Sequence, residues 1–372
     1  MSVCPPKVTK SSEVNSSSKL YHIVRREILM LVALIYPRRE ETVTYARIKA
    51  TTCFSRYGVC MALLAMIATA TLLPDAPATA QEMINPKNPR PVVQRQVAPD
   101  LYFLFDYDSS NAGFLVTDDG VLVVDTRQHP RDGQDLIDRI RKVTDKPIKW
   151  VINTHFHGDH YLGNPAFKSI GANIVAQRET AALMEKTFTK EIARRGKFFE
   201  SRNYDPKEVK LVLPDVTFDS EITIRLGGKE IRVFYLGPGQ NPGDTFVLFP
   251  HDKAIYTPGA FATRSWANTA FTPSVESWIS LLNRVAGMED ADQVLPAHGD
   301  VATRADVAEM AKFLADEYAG VKDAVAKGMS EDEAAKTLLF PQYSDYRNYH
   351  VREHDIRSLY ELIKTGKSKY LE

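Results

Sequence analysis

The stretch Thr154-His155-Phe156-His157-Gly158-Asp159-His160 packs three imidazoles and one carboxylate into the six residues that begin at His155. Imidazole is the commonest biological zinc ligand, and a carboxylate adds negative charge and a second kind of donor. The preceding Ile148 to Asn153 is mostly apolar and β-prone, so the cluster falls where a buried strand ends and side chains can converge. A solvated polar loop accounts for single histidines but not for this density.

Working outward, Ser110 to Thr126 reads as two apolar strands joined by Asp118-Asp119-Gly120 and closed by Asp125, with Asp-Gly as a strong hairpin signal. Leu295-Pro296-Ala297-His298-Gly299-Asp300 reads as a short strand that delivers one more imidazole. Together, in this order, these segments resemble the metallo-β-lactamase-fold hydrolases, whose signature is His-X-His-X-Asp-His. The resemblance covers Val97 to Asp300. It implies an α/β fold, a four-layer αβ/βα sandwich, here with a C-terminal helical extension.

The resemblance also implies ligand sets. One metal would be held by three histidines, of which His155 and His157 are present. The family's third histidine stands here as Gln240, in Gly237-Pro238-Gly239-Gln240-Asn241, and its amide oxygen is a poorer zinc donor than imidazole. The second metal would be held by Asp159, His160 and His298, and all three are present. The carboxylate expected near both metals is absent from Thr257-Pro258-Gly259-Ala260, where Gly259, or alternatively Ala260, takes its position. Three ligands with an open position suit a catalytic zinc. The expected cofactor is therefore zinc, one ion tight and a second weak or absent, with iron and manganese as alternatives. Asp159 is the candidate catalytic residue as well as a ligand. Asp125 is expected to accept the other N–H of a ligating histidine.

The whole chain of 372 residues has no net charge. Residues 1–80 hold 10 Lys or Arg against 5 Asp or Glu, which leaves 37 against 42 in the remainder, a net charge of −5. That argues against a nucleic-acid partner, since phosphate binding wants a basic face. Val59 to Leu73 is an apolar run of 15 residues behind Arg47, Lys49 and Arg56 and ahead of Ala78-Thr79-Ala80. Basic flank, apolar core and small-X-small site make residues 46–80 a signal peptide cleaved after Ala80, which implies a periplasmic or secreted protein. A membrane span needs about 20 apolar residues, so no stable membrane insertion is expected after cleavage. Residues 1–45 are set aside as a prefix of the kind an upstream start chosen in error would produce. Cys4, Cys53 and Cys60 all precede the cleavage site, which removes disulfides, thiolate ligands and cysteine nucleophiles from consideration. No phosphate-binding Gly-rich loop and no Gly-X-Ser-X-Gly elbow occurs.

After a lead over residues 81–96, the domain is expected over 97–300 and a helical extension packed on it over 301–372. Strands are expected at Leu101 to Tyr107, Gly113 to Thr117, Val121 to Asp125, Ile222 to Leu226, Ile231 to Tyr235, Thr245 to Phe249 and Ala254 to Tyr256. Helices are expected at Gly133 to Val143, Arg178 to Lys197, Val275 to Ala286, from Arg304 with Val307, Ala308, Ala311, Leu314 and Tyr318 on one face, from Ser330 through Thr337, and from Asp355 to Thr365. Phe198 to Lys210 reads as a long polar loop. His350 and His354 are read as surface or packing residues, and His129 and His251 as turn residues.

The resulting expectation is an exported hydrolase in which a metal-bound hydroxide attacks the carbonyl, or a related ester, lactam or lactone centre, of a small-molecule substrate. The rival is a periplasmic metal- or ligand-binding protein of the same fold with impaired catalysis, for which the two missing ligands speak.

Overall fold

The computed structural model describes residues 90–371. The prefix and the signal segment, over residues 1–80, lie outside the described residues, as does the lead up to residue 89.

Two sheets form. The first runs β1 (Val93–Ala98), β2 (Leu101–Phe105), β3 (Ala112–Thr117), β4 (Gly120–Val124), β5 (Ile148–Asn153), β6 (Asn173–Gln177) and β7 (Val216–Phe218), in that spatial order. β1 to β4 are antiparallel and β4 to β7 parallel, so the chain switches from hairpins to crossovers after β4. The first strand begins within the segment read as a lead. The second sheet is β8 (Glu221–Leu226), β9 (Lys229–Tyr235), β10 (Thr245–Phe249), β11 (Ala254–Ala262) and β12 (Gln293–His298), with only β11 and β12 parallel.

Side-chain alternation builds the layers. Leu101, Phe103, Leu122, Val124 and Ile152 point inward and meet Ile231, Val233, Val247, Tyr256 and Leu295 of the other sheet. Leu104, Phe114, Val121, Val123 and Val151 point outward onto Leu136, Ile137 and Ile140 of α1 (Pro130–Arg141), with Phe167 of α3 (Asn164–Ser169) beside them; α2 (Gly158–Tyr161) lies between in sequence. On the far side, Phe246, Leu248, Ile255 and Val294 are covered by α6 (Val275–Ala286) through Trp278, Leu281 and Val285, and by α7 (Arg304–Ala326) through Val307 and Leu314. This is the expected four-layer αβ/βα sandwich. α8 (Glu331–Thr337) and α9 (Arg352–Thr365) complete the helical extension, burying Ile356, Leu359 and Leu362 against Val321 and Ala324 of α7.

Several expectations are corrected. α1 starts at Pro130 rather than Gly133, because Pro130 sits in the first turn and the His129 ring accepts from the Arg131 N–H at 3.2 Å. The supposed polar loop after Lys197 opens as a helix, α5 (Gly196–Arg202), which follows α4 (Arg178–Arg194) and buries Phe199; Asn203 ends it in a left-handed conformation. β11 continues past Tyr256 to Ala262 and so carries Gly259 and Ala260 within the strand. On α7 the buried face is Val307, Met310, Ala311, Phe313, Leu314 and Glu317, with Ala308 exposed, so the apolar stripe is rotated from the one expected.

Candidate metal centre

Chain ends at one rim of the sandwich build the site: Asp125 follows β4, Thr154 to His160 follow β5, Gln240 lies between β9 and β10, Gly259 is in β11 and His298 closes β12. The rims are stitched together by backbone bonds, Thr245 N to Thr154 O at 2.9 Å and Asn111 N to Ala297 O at 2.9 Å.

Asp125, at φ 60°, holds its carboxylate under the motif. Oδ1 accepts from the Thr154 N–H at 2.8 Å, and Oδ2 accepts from the Thr154 hydroxyl at 2.8 Å and faces His160 Nδ1 at 2.7 Å. A carboxylate only accepts, so His160 Nδ1 carries a hydrogen, and Nε2 is the nitrogen whose lone pair becomes available once a cation displaces any proton held there. The Thr154 hydroxyl has one hydrogen and spends it on Asp125. Toward His155 Nδ1, at 2.9 Å, it therefore accepts, which makes His155 Nε2 a free lone pair as well.

Those lone pairs face the site. His155 Nε2 and His157 Nε2 are buried with no hydrogen-bond partner, a state that costs free energy unless something fills it. Both imidazoles are held neutral: burial, aided by the neighbouring histidines, lowers the pKa of His155 well below its usual value, and burial does the same to His157 against the pull of Asp159. Asp159, His160 and His298 bring one ligand atom each within 4.8 Å of one another. Asp159 Oδ2 is 3.5 Å from His160 Nε2 and 3.4 Å from His298 Nε2, and the two nitrogens are 3.2 Å apart. Asp125, His155 and His160 also converge, but both Asp125 oxygens are already engaged, so that triad supports ligands rather than forming a set of its own.

Gln240 and Gly259 meet at the same place. A Cβ at Gly259 would overlap Gln240 Oε1 and stand 3.1 Å from His155 Nε2. The amide oxygen of Gln240 is thus near His155, and a carboxylate grown from residue 259 would enter between them.

α4 supplies what the sequence did not announce. Glu191, fully buried, accepts from the Gly158 N–H at 2.7 Å, and Arg195, one turn on, pairs with Asp159 Oδ1. Burial pushes the Asp159 pKa up, but Arg195, then His160 and His298, outweigh this and hold it well below the carboxylate range. His160 goes the other way: burial lowers it, and Asp159 and Asp125 raise it to about 9. Phe271 forms an apolar wall, its ring 4.5 Å from that of His157, and Tyr370 stacks on its outer side at 5.2 Å. Asp355 of α9 fixes this wall by accepting from the N–H and hydroxyl of Thr269, both at 2.6 Å. His350 and His354 join no group of potential ligands among the described residues, and His129 stacks on Tyr204 at 4.3 Å, away from the centre.

Comparison with known proteins agrees with this geometry. The Metallo-beta-lactamase superfamily profile matches residues 106–298, and the chain belongs to that family. It is 22% identical over 287 residues to a linear primary-alkylsulfatase of a Pseudomonas species, a match that covers 65% of this chain and 53% of that protein. It is 28% identical over 147 residues to the metallo-beta-lactamase type 2 of Elizabethkingia meningoseptica, covering 40% of this chain and 50% of that one. The chain thus spans about half the length of these curated relatives. In fold it is similar to the stereoselective inverting sec-alkylsulfatase Pisa1 from a Pseudomonas species, with a TM-score of 0.60 and 17% identity over 75% of this chain and 51% of that one. Among the described residues, no helix is long and apolar enough to cross a membrane.

Proposed function

We propose that this protein is an exported metal-dependent hydrolase of a small-molecule ester, lactam, lactone or sulfate ester. The observation that carries the reading is the pair of enclosed imidazole nitrogens, His155 Nε2 and His157 Nε2, which have no protein partner. They lie in the same histidine cluster as Asp159, His160 and His298: the His155 ring is 4.9 Å from His157 and 4.0 Å from His160. The neutral imidazoles of His155, His157 and His298, that of His160 once a cation displaces its proton, and the ionised Asp159 fit a divalent cation such as zinc, and the nitrogen-rich set leaves little for magnesium or calcium. Asp159, His160 and His298 would hold the tighter ion, with His155, His157 and Gln240 holding a second one weakly or steering substrate. A cation bound there supplies Lewis acidity and makes a coordinated water acidic enough to ionise near neutrality.

The chain's own residues do the rest. Asp125 and Thr154 fix the tautomers that expose the ligating nitrogens. Arg195 keeps Asp159 ionised, which suits it to charge neutralisation and leaves it a poor proton carrier at neutral pH. Phe271 shields the His157 side from bulk water. The alkylsulfatase and lactamase relatives support hydrolysis as the reaction, and the signal-like segment over residues 46–80 supports export.

A second reading, a metal-binding protein with impaired catalysis, is favoured by Gln240 and Gly259 standing where a histidine and an aspartate would complete the other ligand set. Metal content of the purified protein, set beside turnover on chromogenic lactam, ester, sulfate-ester and phosphoester substrates, separates the two. Metal with turnover supports the hydrolase, metal without turnover supports the second reading, and no metal overturns both. Export is tested by the mass of the secreted chain, expected to begin at Gln81; a chain retaining Met61 to Ala80 would contradict cleavage.

A further inference from the structure

Gln240 and Gly259 stand where the family's ligand sets have a histidine and an aspartate, and each taken alone reads as a loss. The loop that carries Gln240, residues 237–244, is tied down from within. Asp244, fully buried, accepts from the Asn241 N–H at 3.0 Å on Oδ2 and from the Asn241 side-chain amide at 2.9 Å on Oδ1. The second hydrogen of that amide is donated to Gln240 Oε1 at 3.3 Å. The loop is also held from outside, where Gly239 O accepts from the Thr272 hydroxyl at 2.6 Å. Gly239 itself has no room for a side chain, since a Cβ there would stand 2.7 Å from Asp244 Oδ2.

These bonds fix which way each amide faces. Turning the Asn241 amide over would set its oxygen against Asp244 Oδ1, so its NH2 stays on the carboxylate. The other hydrogen of that NH2 then needs an acceptor, and Gln240 meets it with its carbonyl oxygen and not with its own NH2. That oxygen leads into the space in front of Gly259: a Cβ on Gly259 would lie 2.2 Å from Gln240 Oε1 and 3.2 Å from Gln240 Cδ. Ordinary bond lengths place an aspartate's own carboxylate oxygens about 2.4 Å from its Cβ. The same Cβ would stand 3.1 Å from His155 Nε2, one of the unpartnered nitrogens. An oxygen donor therefore occupies, beside His155, space that a carboxylate at residue 259 would use, and it can do so only because residue 259 has no side chain.

We propose that the missing histidine and the missing carboxylate are one exchange. Gln240 is not a poorer third histidine: its amide oxygen supplies the oxygen ligand that residue 259 lacks, and Asn241 and Asp244 are the positioning residues that keep this oxygen turned toward Gly259. The proposal rests on the metal-centre reading above but not on hydrolysis. A neutral oxygen in place of a carboxylate leaves two neighbouring cations poorly screened from each other, which keeps the second ion weaker than the first.

The test titrates zinc into the chelator-stripped protein and its variants, with both binding steps followed by calorimetry and melting curves to establish folding. Gln240→Leu, Gly259→Ala and Asn241→Leu should each leave the first step in place and weaken the second, by about 10- to 100-fold for Asn241→Leu, which removes only a supporting partner. Gly259→Ala acts because its methyl and Gln240 Oε1 cannot share one space. In a Gln240→Leu background, Gly259→Ala and Asn241→Leu should cost nothing further, since the oxygen on which they act is gone. Gln240→Glu keeps an oxygen in place, gives it charge and should tighten the second step. If Gly259→Ala does not fold, the Asn241→Leu cycle decides. A second step weakened by Gln240→Leu but indifferent to Gly259→Ala would put Gln240 in the histidine's own place and overturn the proposal, as would losses that simply add or a Gln240→Glu protein with no tighter second step. One tight ion with a second step unmoved by any of these changes overturns this proposal alone, whereas no zinc bound by any form removes the metal centre with it.

Discussion

Asp125→Asn changes one oxygen to an amide nitrogen without changing shape, and the hydrogen-bond pattern forces the consequence. The oxygen facing the Thr154 N–H must stay an oxygen, because a backbone N–H cannot accept. The new NH2 then faces the Thr154 hydroxyl and His160 Nδ1, both of which donate in the wild type. His160 has to present a lone pair at Nδ1 and carry its hydrogen on Nε2, where it no longer binds a metal. Thr154 accepts from the amide and turns its hydrogen toward His155 Nδ1, which moves the hydrogen of His155 onto Nε2 too. One substitution of nearly equal volume thus reverses both tautomers. The opposite amide orientation sets two buried donors against each other, at about 1–3 kcal/mol. Loss of such a supporting partner lowers metal affinity about 10- to 100-fold. Competition with a chromogenic zinc chelator measures this directly, with a melting curve to establish folding. An Asp125→Asn protein that is folded and binds zinc as tightly as the wild type would refute the tautomer argument.

Three further outcomes follow from the same structure. His298→Ala should lower metal content and any hydrolytic rate together, whereas His350→Ala, at an exposed position, should leave metal content alone; metal analysis of both decides it. Gln240→His combined with Gly259→Asp should raise zinc stoichiometry from about one to about two, while Gly259→Asp alone should do less because its Cβ displaces the Gln240 amide. A chelator titration showing two equally tight ions in the wild type would contradict this. Glu317 and Asp355 are fully buried and face one another between α7 and α9; burial above all holds Glu317 well above its usual value of 4.5 and Asp355 up at about 6. In an acid with a raised folded pKa, the unfolded chain loses its proton first, so stability falls as pH rises above the unfolded value. Glu317→Gln should therefore gain in melting temperature over the wild type as pH goes from 5 to 8, and a gap that stays constant or shrinks would count against the pair.

The metal motif was legible because its chemistry is local: His155, His157, Asp159 and His160 share one turn, and their density admits few other uses. His298, Gln240 and Gly259 were legible only through their order along the chain, and β11, running on to Ala262, carries residue 259 against the Gln240 amide and His155. Asp125 stood at the end of an evident strand, but the Thr154 hydroxyl that extends its control to His155 is invisible until the strands are paired. Arg195 and Glu191 read as ordinary members of a charged helix, since an i, i+4 pair on a solvated face has the same spacing as one turned against a metal motif. Phe199 was lost in a polar stretch because the expected helix was carried only to Lys197, and Asn203, which ends the helix that holds Phe199, looks like a loop residue. Strand β7, of three residues, is too short to show a period. The role of the extension was hidden most completely, because Asp355 and Tyr370 reach the wall of the site through contacts far apart in sequence.

Turnover of the chelator-stripped protein as zinc is added back tests the metal-dependent site most directly. No hydrolysis in the stripped protein, and a rate that climbs with zinc to a plateau, is the predicted result. Full hydrolysis by protein shown to contain no metal would contradict it.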